Sequence, residues 1–221
     1  MVNAILDPTG GAARIREDVL LASPRARLRG ATIGLLENTK QNASLFLDEV
    51  GKLLVERFGV AAVVPRTKFA FALPMPDELL DELAGTCQAV VVGVGDCGSC
   101  SGSAVADGVA LERRGIPAAV ICTEAFTVTA DAMAALKGAT GYEYATTGHP
   151  VAVLTPDEVR ERAEQALPRV VTLLTGGDRE GSAASARSEL ASSSREREER
   201  AQRAPQSGAN EGPVASERGA A

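Results

Sequence analysis

Apolar positions along residues 31–175 fall into two kinds of block that take turns. Ala31 to Leu36 is a short aliphatic run and reads as a strand. From Ala43 to Phe58 the apolar residues Phe46, Val50, Leu53, Leu54 and Phe58 recur at helical spacing on one face. Val60 to Val64 reads as a second strand, stopped by Pro65. Asp77 to Leu83 reads as a short helix with Pro76 just before it. Ala89 to Val94 is a continuous apolar run, the pattern of a strand covered on both faces. Ser101 to Arg114 reads as a helix ended by Gly115, Ala118 to Cys122 as a second buried strand, and Ala125 to Lys137 as a helix ended by Gly138. Tyr142 to Thr146 reads as the last strand. Thr155-Pro-Asp-Glu158 matches a capping box with proline at the first helical position, so a helix follows toward Leu174.

Strands that alternate with helices imply a parallel sheet with right-handed crossovers. The expected fold is therefore a three-layer α/β sandwich with a mainly parallel sheet, flavodoxin-like or Rossmann-like. The pattern stops near Gly176. From there to Ala221 the chain is rich in Gly, Ser, Ala, Arg and Glu, with Leu190 and Val214 as its only large aliphatics. Such a segment cannot bury enough apolar surface to offset its ordering entropy. Residues 1–175 are read as one α/β domain and 176–221 as a low-complexity, disordered tail. Met1 to Arg29 is harder to place, with a turn signal at Asp7-Pro-Thr-Gly-Gly11.

Composition narrows the function. Hydrophobic residues make up 45% of the 221, enough for a core without staples. The formal net charge is −6, with five Phe, two Tyr and no Trp, which argues against nucleic-acid binding. No apolar stretch is long enough to span a bilayer. The opening Met-Val-Asn-Ala-Ile-Leu-Asp-Pro lacks a basic stretch followed by an apolar run, so a cytoplasmic protein without a signal peptide is expected. In that compartment thiols start reduced. Of the four cysteines (Cys87, Cys97, Cys100 and Cys122), only Cys97 and Cys100 are close in sequence, and a Cys-x-x-Cys pair there reads as redox, catalytic or metal-binding.

Ligands of open parallel sheets bind outside the carboxyl ends of the strands. The residues that follow the five strands are Glu37-Asn-Thr-Lys40, then Arg66 and Lys68, then Gly95 to Ser101, then Thr123 and Glu124, then His149 and Pro150. The third group is the informative one. Cys97 lies just before a helix and Cys100 near its first turn, where unpaired N–H groups and the helix dipole favour an anion such as a thiolate. Gly98 and Gly102 let the backbone approach a ligand. A dithiol here allows one cysteine to attack and the other to resolve. Three other readings stand beside it. The two cysteines are small and well packed only; or they join Cys122 and His149 in a zinc site; or Gly93-Val-Gly-Asp-Cys-Gly98 is a phosphate cradle, although Asp96 sits where phosphate would approach and the loop holds no basic residue. Cys87 reads as structural, and Cys122 as core packing. Glu124 is a general acid or a helix N-terminal charge, and His149 an acid–base group or a turn anchor. Asn38 is a candidate cap for the following helix.

The stretch from Ala89 to Phe126 resembles the UGSC family, named for a Sec-Gly-Ser-Cys motif in which many members carry cysteine in place of selenocysteine. Here the motif stands as Cys97-Gly98-Ser99-Cys100. Leu111-Glu-Arg-Arg-Gly-Ile-Pro117, Ile121-Cys-Thr-Glu124, His149-Pro150, Leu6-Asp-Pro-Thr-Gly10 and Leu36-Glu-Asn-Thr-Lys40 fit the same pattern. The region is also distantly similar to the substrate-specific selenoprotein subunit of glycine, sarcosine and betaine reductases, which cleave a carbon–nitrogen bond reductively with the chalcogen as nucleophile. The resemblance implies that Cys97, at the selenocysteine position, attacks and that Cys100 is its partner. Sulfur in place of selenium makes activation by the loop more important.

The expectation is thus a thiol-dependent enzyme acting on a small electrophilic molecule. Cys97, Cys100, Glu124 and His149 are its candidate catalytic residues, and Asn38, Lys40, Asp96, Ser99, Ser101 and Thr123 its candidate substrate-binding residues. No bound cofactor is implied; an external thiol or thioredoxin-like reductant would restore the dithiol. A homodimer or a reductase partner subunit is the expected assembly. The competing expectations are a non-catalytic redox-responsive or metal-binding subunit, and a nucleotide-binding domain with incidental cysteines.

Overall fold

A computed structural model describes residues 21–25, 27–70 and 72–177. The proposed tail beyond 177 and the turn at Asp7 to Gly11 lie outside the described residues. Five parallel strands form one sheet in the order β2-β1-β3-β4-β5, the flavodoxin-like arrangement. In chain order the elements are β1 (Thr32–Glu37), α1 (Ala43–Phe58), β2 (Ala62–Thr67), α2 (Asp77–Thr86), β3 (Ala89–Gly95), α3 (Gly98–Arg113), β4 (Ala118–Thr123), a 3₁₀ turn (Glu124–Phe126), α4 (Thr127–Leu136), β5 (Ala145–Thr147) and α5 (Pro156–Thr175). Helices α1 and α5 cover one face of the sheet, where Phe46, Leu54, Val91, Ile121, Val170 and Leu174 meet. Helices α2, α3 and α4 cover the other, over Leu83, Val90, Val92, Val105, Val109 and Val120. Every residue of β3 and β4 is buried, as their continuous apolar runs require.

Several boundaries differ from the sequence reading. Strand β2 does not stop at Pro65 but runs through it to Thr67, pairing Pro65 with Leu35. Proline has no N–H to donate, and β2 tolerates it because it is an edge strand. Helix α3 starts at Gly98 rather than Ser101, because the Cys97 sulfur occupies the N-cap role that oxygen side chains usually fill. The helix read as Ala125 to Lys137 opens as a 3₁₀ turn and becomes α-helical only at Thr127. Strand β5 is three residues long and begins at Ala145, not Tyr142. Thr155 does cap α5: its Oγ1 accepts from Glu158 N at 3.4 Å, and Glu158 Oε2 accepts from Thr155 N at 2.8 Å.

The end of β3 departs from regular pairing. Val92 aligns with Val120 and Gly95 with Cys122, so β3 spends one residue more than β4 over this interval. The bulge turns Val94 to the α1/α5 core and Gly95 toward α3. A bulged residue loses its ladder partners, and buried backbone groups need replacements. Asn38 supplies them: its Nδ2 donates to Val94 O at 2.9 Å and its Oδ1 accepts from Val94 N at 3.1 Å. Asn38 is therefore a clamp on β3, not a cap on α1. Asn42 stands at the α1 N-cap, and its Nδ2 donates to Val151 O and Leu154 O, tying α1 to the loop before α5.

Lys68 and Arg66, expected near the strand ends, are committed elsewhere. Arg66 pairs with Glu82 on the surface. Lys68 is buried: its Nζ pairs with Asp107 and donates to Ser103 Oγ at 2.6 Å. Met75 N donates to Asp107 Oδ1 at 2.8 Å, and Ser103 Oγ donates to Leu73 O at 2.7 Å. This cluster pins the β2–α2 connection onto α3. Burial raises the Asp107 carboxyl, and the Lys68 ammonium opposes that rise.

Two consequences are measurable by urea unfolding. A Cβ on Gly95 would lie 2.7 Å from both Cys122 Sγ and Ser101 Oγ and 2.8 Å from Ser101 Cα. Gly95→Ala must therefore push α3 off the sheet and is expected to cost about 1–3 kcal/mol; unchanged stability would contradict the close approach. Lys68→Met leaves a buried carboxylate without its cation and is expected to cost about 3–5 kcal/mol. The double variant Lys68→Met/Asp107→Leu should recover part of that loss, whereas additive losses would show that the two residues do not act as a pair.

Candidate functional site

The bulge and its clamp deliver Asp96 and Cys97 to the junction between β3 and α3. Cys97 has extended backbone and caps the helix, its Sγ accepting from Cys100 N at 3.3 Å. The Cys97 and Cys100 sulfurs are joined as a disulfide, with the Cα atoms 5.2 Å apart, inside the usual range for such a bond. The two cysteines are not equivalent. Cys97 is partly exposed, while Cys100 is 0% exposed on the first turn of α3. Ser99 is exposed between them, its Oγ 3.6 Å from Cys97 Sγ. When the pair is reduced, the Cys100 N–H and the positive end of α3 both favour charge on the outer sulfur.

Asp96 is buried and fully used within the protein. Its Oδ2 accepts from Val151 N at 3.0 Å and Ala152 N at 2.9 Å, and its Oδ1 lies 2.9 Å from His149 Nδ1. A carboxylate only accepts, so the Nδ1–H of His149 is the donor in this contact and Nε2 is left as the ring's other hydrogen-bonding atom. Thr123 is buried beneath the imidazole. Its Oγ1 donates to Gly95 O at 3.2 Å and sits 3.2 Å from His149 Nδ1. Phe126 meets the ring edge-on with centroids 5.2 Å apart, and Glu124 Oε1 accepts from His149 N at 3.5 Å. The His149 side chain remains 35% exposed, so the ring is held on one side and open on the other.

The structure thus gathers Asn38, Asp96, Cys97, Ser99, Cys100, Thr123, Glu124 and His149 at the carboxyl edge of the sheet, around the β1/β3 switch point. It does not place Arg66 or Lys68 there. Lys40 is half-buried in the β1–α1 connection, where its carbonyl accepts from Ala43 N. Ser101 is wholly buried and faces Gly95 and Cys122 rather than solvent. Burial pushes the Cys122 thiol up to about 12, and the Ser101 hydroxyl offsets only part of that rise. Among the described residues no three His, Cys, Asp or Glu side chains cluster as a metal site. The glycine pattern around Asp96 serves packing, since Gly93 approaches Leu47 and Gly95 approaches α3, and Asp96 is turned to the β5–α5 loop. Cys87 is buried against Gly34 in the core. No helix among the described residues is long and apolar enough to cross a membrane.

Sequence reasoning missed Phe126 and the donors Val151 N and Ala152 N. Phe126 lies 23 positions from His149 and carries no local signal, and a backbone donor has no signature in residue type. It also missed a groove of about 350 Å³ that starts at Gly98 and Ser99 and runs between α3 and α4.

Comparison with known proteins adds a family. A search of curated proteins gave no match. Among solved structures, the chain is similar to one described as an ABC transporter permease from the Pseudomonas fluorescens group, at 18% identity and a TM-score of 0.32. That match covers 65% of this chain and only 32% of the other, and a likeness so weak carries no argument about function. The UGSC family matches residues 4–176, which include the whole β-sheet and the Cys97-Gly98-Ser99-Cys100 loop. The chain belongs to the UGSC family.

Proposed function

We propose that the protein is a thiol-dependent oxidoreductase in which Cys97 attacks a small electrophile and Cys100 resolves the adduct. The observation that carries this reading is the inequality of the pair: a partly exposed sulfur at a helix N-terminus, bonded to a buried one a single turn inside. The outer thiolate attacks R–X, forms a Cys97–S–R bond and expels X⁻. Cys100, deprotonated as it attacks, forms the Cys97–Cys100 bond and releases R with the electron pair of the broken S–R bond. R takes up a proton and leaves as R–H. The sum is two thiols plus R–X giving a disulfide, R–H and H–X, so the protein loses the two electrons that the substrate gains. An external thiol then reduces the disulfide and becomes a disulfide itself.

His149, oriented by Asp96, Thr123 and Phe126, is the proton carrier in this scheme, through Nε2. Glu124 acts by holding the His149 backbone. Where R leaves from carbon, the scheme demands a substrate that stabilises the departing electron pair, and reductive cleavage of the kind suggested by the reductase resemblance meets that demand.

Trapping tests the unequal roles. The reduced protein is mixed with an aromatic disulfide and analysed by mass spectrometry. Cys100→Ser is expected to hold a stable mixed disulfide on Cys97. The wild type should pass on to the internal disulfide and release both halves of the probe as thiols, and Cys97→Ser should react at least about a hundredfold more slowly. A stable adduct on Cys100 in Cys97→Ser, formed as fast as the adduct on Cys97, would reverse the assignment. A pair that reacts with neither cysteine faster than a free thiol does would favour the second reading, a non-catalytic redox-responsive subunit, for which the disulfide itself speaks.

A further inference from the structure

The groove that begins beside the cysteine pair is not used by that chemistry as stated. Its floor is one face of α3, made of Gly98, Gly102 and Ala106, and its far wall is α4, with Thr129, Met133 and Leu136. The two helices step together: a Cβ on Gly98 would meet only Thr129 Oγ1, at 3.7 Å, and one on Gly102 would meet Met133 Cε at 3.4 Å. The run from Gly98 to Ala106 spans about 12 Å by helical rise. The third wall, Ala72 and Pro74, belongs to the connection pinned by the Lys68–Asp107–Ser103 cluster, so the groove is preformed. Its lining is mostly apolar, interrupted by the hydroxyls of Ser99, Ser103 and Thr129, with one charge, Lys137, at the end away from the cysteines. Lys137 forms no salt bridge among the described residues, although its charge reaches Asp107 at longer range and helps to lower that carboxyl. Asp107, next to Ala106 on α3, is bonded to Lys68 and Met75 N.

We infer that this groove binds a medium-length apolar chain ending in a carboxylate, with the carboxylate at Lys137 and the opposite end directed to Ser99, whose hydroxyl is 3.6 Å from Cys97 Sγ. The inference deepens the proposed thiol chemistry, and rests on it for the claim that the far end of the chain is where reaction occurs. A linear apolar body matches a groove lined by glycines, alanine, methionine and leucine. A single cation at one end selects an acid over its neutral analogue.

Binding separates the groove from the chemistry. Octanoate and octanamide are titrated calorimetrically into the full chain carrying Cys97→Ser, which removes the nucleophile and leaves the groove. Octanoate is expected to bind about fivefold tighter than octanamide at low salt, the scale of one partly exposed ion pair. Lys137→Gln on the same background should abolish that preference and leave octanamide unchanged. Gly102→Val should weaken both ligands about tenfold or more by filling the floor, and its Cβ alone would sit at ordinary contact distance, 3.4 Å, from Met133 Cε. Equal binding of acid and amide, or full binding to a folded Gly102→Val protein, would overturn the inference. Octanoate binding as described, in a protein whose Cys97 fails the trapping test, would leave the groove standing and remove the thiol chemistry.

Discussion

One residue too many in β3 governs the site. The strand gains a position over β4 between Val92 and Gly95, and the lost backbone partners of Val94 are replaced by the amide of Asn38, the residue that follows β1. Everything downstream takes its direction from that step. Gly95 faces α3 and lets Ser101 come within van der Waals reach of the sheet. Asp96 then faces the β5–α5 loop, and Cys97 arrives at the head of α3 as its cap. A regular strand would have left the alternation of β3 unbroken and placed these side chains one face over.

Burial and dipole divide labour among chemically identical groups. Cys122 and Cys100 are buried alike, but Cys122 lies within strand β4, where desolvation raises its thiol pKa, while Cys100 is one helical turn from a partly exposed partner. Cys97 alone combines exposure with a helix N-terminus. His149 is governed by geometry: a buried carboxylate on Nδ1, an aromatic edge against the ring and an open Nε2 side. Asp96 spends its second oxygen on two backbone N–H groups of the same loop that carries His149, so orientation of the histidine and closure of the fold depend on a single side chain.

Much of this was legible from residue pattern. The continuous apolar runs of β3 and β4 identified central parallel strands, and the capping box at Thr155 located α5. The Cys97–Cys100 pair stood out by spacing and position. What the pattern misplaced has physical reasons. Pro65 ends most strands, yet an edge strand has a side on which no donor is needed. Sulfur is not among the usual capping atoms, so α3 was read as starting late. Lys68 follows a strand and so fell among the residues expected at the sheet's carboxyl edge, but a buried aspartate ten residues into α3 claims it. Asn38 looked like a cap because asparagine often is one; its true partner, Val94, is fifty-six positions away and is marked by a bulge that no residue type announces.

The central claim is that the β3–α3 junction makes Cys97 a stabilised thiolate. Its most direct test is a pH titration of the fully reduced protein followed by thiolate ultraviolet absorbance, compared with the same titration of Cys97→Ser. The account predicts one thiolate appearing well below the ordinary thiol range near ~8.5, absent from Cys97→Ser and retained in Cys122→Ala. A first thiolate that appears only at or above that range, or one that persists without Cys97, would contradict it.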